Sequence, residues 1–127
     1  MTERPLLITL IGLIHLLLGL VFALGGAAIA GGMAAELADL APVDGMLVTL
    51  VGAGVLIFGL VNLTIGWGFL RGWAIMWYLG VIFNAIGLLL SISGIVTAMT
   101  VSVLPLVLYG VILYYLFRPQ VKGFFGI

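Results

Sequence analysis

The 127-residue chain is 65% hydrophobic and only 6% charged, against about 25% charged residues in an ordinary soluble domain, so it lacks the polar groups to cover a water-exposed surface and its natural solvent is lipid. A net charge of zero leaves neither a basic face for nucleic acid nor an acidic tail. The absence of cysteine excludes disulfides, thiol catalysis and thiolate metal sites.

Four stretches reach the roughly 20 apolar residues that a membrane-crossing helix needs: about 5–24, 46–70, 73–93 and 97–117. The first is followed by Gly25, Gly26, Gly31 and Gly32, which are expected to loosen the chain. Ala28-Ile29-Ala30 has the small residues of a signal cleavage site, but the apolar run before it exceeds the usual 7–15 residues, so a retained helix is expected. Between the first and second helices, Met33, Leu37 and Leu40 share one helical face and Glu36 and Asp39 another, which predicts a short interfacial helix over about 33–41. Glu36, Asp39 and Asp44 are expected to be a solvated polar face rather than a metal site.

Pro42 and Gly45 precede the second helix, and Arg71-Gly72 divides it from the third. The break near Gly94 has two readings. Either Ser102 caps a shorter last helix with Pro105 in its first turn, or the helix starts near Thr97 and Pro105 kinks it. Pro119 is expected to stop it. After it, Phe124, Phe125 and Ile127 are expected to dip into the headgroups while Arg118 and Lys122 meet anionic lipid.

With four crossings, Arg4, Arg71, Arg118 and Lys122 all fall on one side, which the positive-inside rule makes the cytoplasm. A multi-pass protein of the cell membrane with both termini cytoplasmic is therefore expected. Trp67, Trp73, Trp77, Tyr78, Tyr114 and Tyr115 read as an aromatic belt on that face.

Glycine spacing is the most informative pattern. Gly12, Gly19 and Gly26 in the first helix, Gly45, Gly52, Gly59 and Gly66 in the second, and Gly80, Gly87 and Gly94 in the third each step by seven. A seven-residue step lays a stripe along one face. Lipid gives helices no hydrophobic drive to associate, so close approach over small residues takes its place. The expected fold is a single all-α domain over 1–127, an antiparallel four-helix membrane bundle packed through glycine. The stripes serve either internal packing or an oligomer interface. The fourth helix has only Gly110 and is bulkier, which suits it to pack into the grooves.

Each helix carries one strong hydrogen-bonding side chain at depth: His15, Asn62, Asn84 and Tyr109. They lie 9 to 13 residues from the nearest of the cytoplasmic arginines, or roughly 14–20 Å at 1.5 Å per residue, near the middle of a ~30 Å hydrocarbon core. Unpaired groups there cost several kcal/mol. The four are expected to bond across helices as structural glue, or alternatively to line a ligand or proton pathway with His15 as the titrating group. Thr64 and the other hydroxyls are expected to bond their own helix. One histidine and interfacial acids make no catalytic constellation, so no enzyme and no cofactor are expected; a haem would need Met, Tyr or another chain's His15 as second ligand. The expected partners are the bilayer, a second copy or another membrane subunit.

The tail Leu116-Phe117-Arg118-Pro119-Gln120-Val121-Lys122-Gly123-Phe124-Phe125-Gly126 and the turn Trp67-Gly68-Phe69-Leu70-Arg71-Gly72-Trp73 resemble small uncharacterised four-span membrane proteins of archaea and bacteria. That resemblance implies the four-span fold and no activity. Small multidrug transporters share the size but depend on a glutamate in the first helix, where this chain has His15. Dual-topology fluoride channels carry a Thr- and Phe-rich third-helix motif that is missing here, and the one-sided charge bias opposes dual insertion.

Overall fold

The computed structural model describes residues 3–40, 44–98 and 103–127, with side chains at 33–34, 37–38 and 94–98 outside the description. The described residues form α1 (Leu6–Ala28), a π-helical turn (Ile29–Met33), α2 (Ala34–Leu40), α3 (Gly45–Arg71), α4 (Ala74–Ala98), α5 (Val103–Leu116) and α6 (Pro119–Phe125). Three helical stretches are long and apolar enough to cross a membrane, and a fourth if α5 and α6, bent by 72°, count as one. The all-helical, multi-pass character expected from composition is therefore present.

The helix limits depart from expectation in three places. The first helix does not loosen at Gly25 and Gly26. It runs on to Ala28 and then passes through the π turn, which holds Gly31 and Gly32, and the short helix expected over about 33–41 follows as α2. In an apolar surround each backbone group must be satisfied within the helix, which outweighs the ~1 kcal/mol helix penalty of a glycine. The third helix does not end at 93 but runs on through Gly94 to Ala98. The fourth covers Val103–Leu116 rather than 97–117, with Pro105 in its first turn, where the missing N–H needs no helical partner. The proposed cap at Ser102 and the breaker Pro42 lie outside the described residues.

Local chemistry explains the other ends. Asp44 caps α3: its Oδ1 accepts the Met46 backbone N–H at 3.0 Å. Gly72 closes α3 with φ +69°. Gly72 N–H then donates to the Phe69 carbonyl at 3.3 Å and Trp73 N–H to the Gly68 carbonyl at 3.1 Å, a Schellman motif. Pro119 does not simply stop the chain. It is the first residue of α6, after an extended Arg118, and Gly126 ends α6 with a second left-handed cap, φ +73°.

The chain divides into two compact units. One is Gly12–Trp67 and is built from α1, the π turn, α2 and α3. The other contains the chain start up to Ile11 and the described residues from Gly68 onward. In this second unit α5 packs along α4, and α6 folds back so that Val121 and Phe125 are buried. Phe125 meets the Phe69 ring edge-on at 5.4 Å between centroids, and the Phe124 ring lies against Gly72. Phe125 is thus buried against protein, in place of the headgroups expected for it, while Phe124 is half-buried. Trp77 also leaves the expected aromatic belt: it is buried, 6% exposed, and its Nε1–H donates to the Leu116 carbonyl at 2.8 Å.

Candidate functional site

The Gly12–Trp67 unit holds a close small-residue contact between α1 and α3. A methyl group added at Gly19 would lie 2.6 Å from the Leu63 amide nitrogen and 2.8 Å from the Gly59 carbonyl oxygen. One added at Gly26 would lie 2.6 Å from the Gly52 carbonyl, and one at Gly66 would lie 2.7 Å from the Gly12 carbonyl. The glycines of α1 and α3 therefore meet as Gly12 with Gly66, Gly19 with Gly59 and Gly26 with Gly52. Only hydrogen in place of a side chain permits this backbone approach. Ala23 and Ala30, the small residues between and beyond these rungs, face Gly59 and Gly52.

His15 and Asn62 stand between the first two rungs, each three residues after a glycine of the series. His15 Nδ1 and Asn62 Oδ1 are 2.8 Å apart, and the side chains are 3% and 2% exposed. Asn62 Nδ2 donates to the Phe58 carbonyl at 3.0 Å, which makes Oδ1 the acceptor and Nδ1 of His15 the donor. In a neutral ring Nε2 then carries the lone pair. The pair fixes the ring orientation and one tautomer. It lacks a carboxylate or lysine for acid–base work: within this unit Glu36, Asp39 and Asp44 are all exposed, and Asp44 is engaged as a cap.

Asn84 and Tyr109 belong to the second unit. Asn84 is fully buried, and its Nδ2 donates to the Gly80 carbonyl one turn back at 2.7 Å. Its Oδ1 has no hydrogen-bond partner among the described residues. The Tyr109 ring fills the notch at Gly87, with ring carbons 2.7–2.9 Å from the position a Cβ would take, and the Phe69 ring fills the notch at Gly80. The glycines of α4 thus receive aromatic rings rather than another backbone. Gly94 lies outside the residues with described surroundings. Of the four expected depth residues, the structure brings His15 and Asn62 together. Thr64 bonds its own helix as expected, Oγ1 to the Leu60 carbonyl at 2.9 Å.

Residue-by-residue reading grouped the cations and aromatic rings of the second unit on one side but missed the contacts they make. Arg4 Nη1 donates to the Leu70 carbonyl at 3.0 Å, beside Arg71. Lys122 Nζ lies 5.7 Å from the centre of the Trp77 ring and 5.3 Å from that of Phe117, and Trp77 and Phe117 meet edge to face. The available signal was the position of Trp77, three residues before Gly80 and so on the glycine face of α4. Comparison with protein-family models, with characterised proteins and with solved structures gives no match.

Proposed function

We propose that this chain is a non-enzymatic integral membrane protein, an antiparallel glycine-packed bundle, that acts through helix–helix interactions as a homo-oligomer or as an accessory subunit of a membrane complex. The observation that carries this reading is the His15–Asn62 hydrogen bond between two glycine rungs. A polar pair joined by a hydrogen bond inside a close backbone contact acts, on this reading, as a lock on register and not as a pathway. Antiparallel order is supported by the rungs themselves, since each seven-residue advance along α1 is a seven-residue retreat along α3. Because these stripes are taken up within the chain, assembly falls to the outer faces. Those faces are apolar along their length, as at Leu17, Leu50, Leu89 and Val107. Gly54 and Gly110, where an added Cβ would meet nothing within 4 Å, leave room for the backbone of a neighbouring helix. The grouping of Arg4, Arg71, Arg118 and Lys122 in one unit supports a shared cytoplasmic side.

Native mass spectrometry of the full-length protein, gently extracted from its own membrane, tests this. A second subunit at fixed stoichiometry or a defined homo-oligomer is the expected result. A monomer that in-membrane crosslinking also fails to trap would sink the reading.

One observation favours a second reading, a small transporter or channel: the buried Asn84 Oδ1 without a partner among the described residues, an atom suited to an internal water. On that reading, solute or proton flux in proteoliposomes falls at least tenfold in Asn84→Leu. Equal flux in protein-free, wild-type and variant vesicles would dispose of it.

A further inference from the structure

The bend between α5 and α6 forms an open depression of about 450 Å³ lined by Tyr114, Phe117, Arg118 and Pro119. Its composition divides the two C-terminal cations by role. Lys122 is half-buried and its ammonium is held over Trp77 and Phe117, a contact that fixes its position against those rings. Arg118 is exposed, and of the four lining residues it is the charged one. Its backbone is fixed: Arg118 N–H donates to the Tyr115 carbonyl at 3.1 Å, and its carbonyl accepts from both Val121 and Lys122 at 3.0 Å. Tyr114, four residues before it and 72% exposed, lines the same depression. Phe117 and Pro119 supply apolar walls. The bend follows the last apolar turn of α5, the depth at which hydrocarbon gives way to headgroups.

We infer that the α5–α6 elbow binds one anionic phospholipid, with its phosphate on the Arg118 guanidinium and the Tyr114 hydroxyl and its upper acyl chain against Phe117 and Pro119. A guanidinium offers paired N–H donors that match phosphate geometry. The apolar walls select a lipid over a free anion, and the anionic cytoplasmic leaflet supplies such lipids. This inference rests on the chain crossing a bilayer, and its test separates the two.

The full-length protein is reconstituted in phosphatidylcholine vesicles containing a minor fraction of phosphatidylglycerol with the same acyl chains. Flotation reports insertion, and native mass spectrometry reports retained lipid. Failure to float with vesicles would overturn the membrane reading itself. Given insertion, the wild type is expected to retain a single phosphatidylglycerol in preference to phosphatidylcholine. Arg118→Gln should lower that retention roughly tenfold or more, the factor for a hydrogen bond to a charged group. Arg4→Gln removes an equal charge outside the depression and should leave retention within about twofold, since the Arg4 guanidinium is engaged by the Leu70 carbonyl. Tyr114→Phe, which removes only the hydroxyl, should give a smaller loss than Arg118→Gln. Equal losses in Arg4→Gln and Arg118→Gln would mean diffuse attraction and overturn the site. Displacement by excess inorganic phosphate would overturn the lipid in favour of a free anion. Retention unchanged in both Arg118→Gln and Tyr114→Phe would overturn it outright.

Discussion

Gly59→Leu is expected to force α1 and α3 apart and to cost about 3 kcal/mol or more, the upper end for overpacking a filled contact. A Cβ at this position would lie 2.7 Å from the Ala23 Cα and 2.8 Å from the Gly19 carbonyl oxygen, and closer still to the Ala23 amide nitrogen. All three are backbone atoms, so no rotamer change relieves the clash and the helices themselves must move. The shift reaches His15–Asn62, because Asn62 is three residues along the same helix. Domains are stable by only about 5–15 kcal/mol, so the loss is readily measured as a fall in the unfolding midpoint in mixed micelles. The chain has no cysteine of its own, so spin labels at Leu20→Cys and Leu60→Cys give a clean distance between the helices, expected to lengthen by several Å. Gly54→Leu is the control. An added Cβ there meets nothing within 4 Å, and its effect should stay within about 0.5 kcal/mol, as for a surface change. If Gly59→Leu matched Gly54→Leu in both distance and stability, the rungs would have no energetic weight.

What could be read from the sequence was what a repeat or a backbone rule encodes. The second helix, expected over 46–70, is α3 at Gly45–Arg71, because its limits rest on an acidic cap and a left-handed glycine. That His15 and Asn62 lie beside the stripes was also legible, since each follows a stripe glycine by three residues, but the sequence pointed to four depth residues and not to this pair. Gly31 and Gly32 do fall where the α-helix gives way to a π turn, but treating Gly25 and Gly26 as loosening applied a rule learned in water, where a freed backbone finds solvent. In lipid the helix keeps its hydrogen bonds, and Gly26 is moreover held against the Gly52 carbonyl. For the last helix, apolar length suggested 97–117 while Pro105, whose missing N–H suits a first turn, left a shorter helix open, and α5 at Val103–Leu116 agrees with the shorter reading.

The aromatic residues show why the contacts around the cations were not legible. Depth along the chain places Trp67, Trp73, Trp77 and Tyr78 at the same level. It is the face of the helix that decides which ring turns inward. Trp77 shares a face with Gly80, Asn84 and Gly87, and it is the buried one, whereas Trp67, Trp73 and Tyr78 are about half exposed. The return of α6 onto Phe69 had no periodic signal, since a seven-residue helix spans only two turns. Its docking depends on Phe125 finding Phe69, a contact between residues 56 positions apart.

Replacing His15 and Asn62 together is expected to do less harm than the sum of replacing each alone. In Asn62→Leu the His15 ring loses the Oδ1 acceptor at 2.8 Å while remaining 3% exposed. Either tautomer then turns a polar nitrogen toward leucine. In His15→Leu, Asn62 keeps its bond to the Phe58 carbonyl but its Oδ1 loses the imidazole donor. Each single change should therefore cost about 1–3 kcal/mol, the penalty for leaving a buried polar group without its partner. The double change removes both polar groups, and the hydrogen bond it forfeits is worth only about 0.6 kcal/mol net between membrane helices. A double-mutant cycle of unfolding free energies should accordingly give a coupling of at least about 1 kcal/mol in favour of the double variant. Additive single effects would mean that the two side chains are not a unit. The same three variants also separate glue from pathway. If the pair is a lock on register, the double variant keeps the helix distance and any assembly of the wild type. If it carries solute or protons, the double variant folds and assembles but loses flux, because leucine at both positions restores packing and cannot restore a polar route.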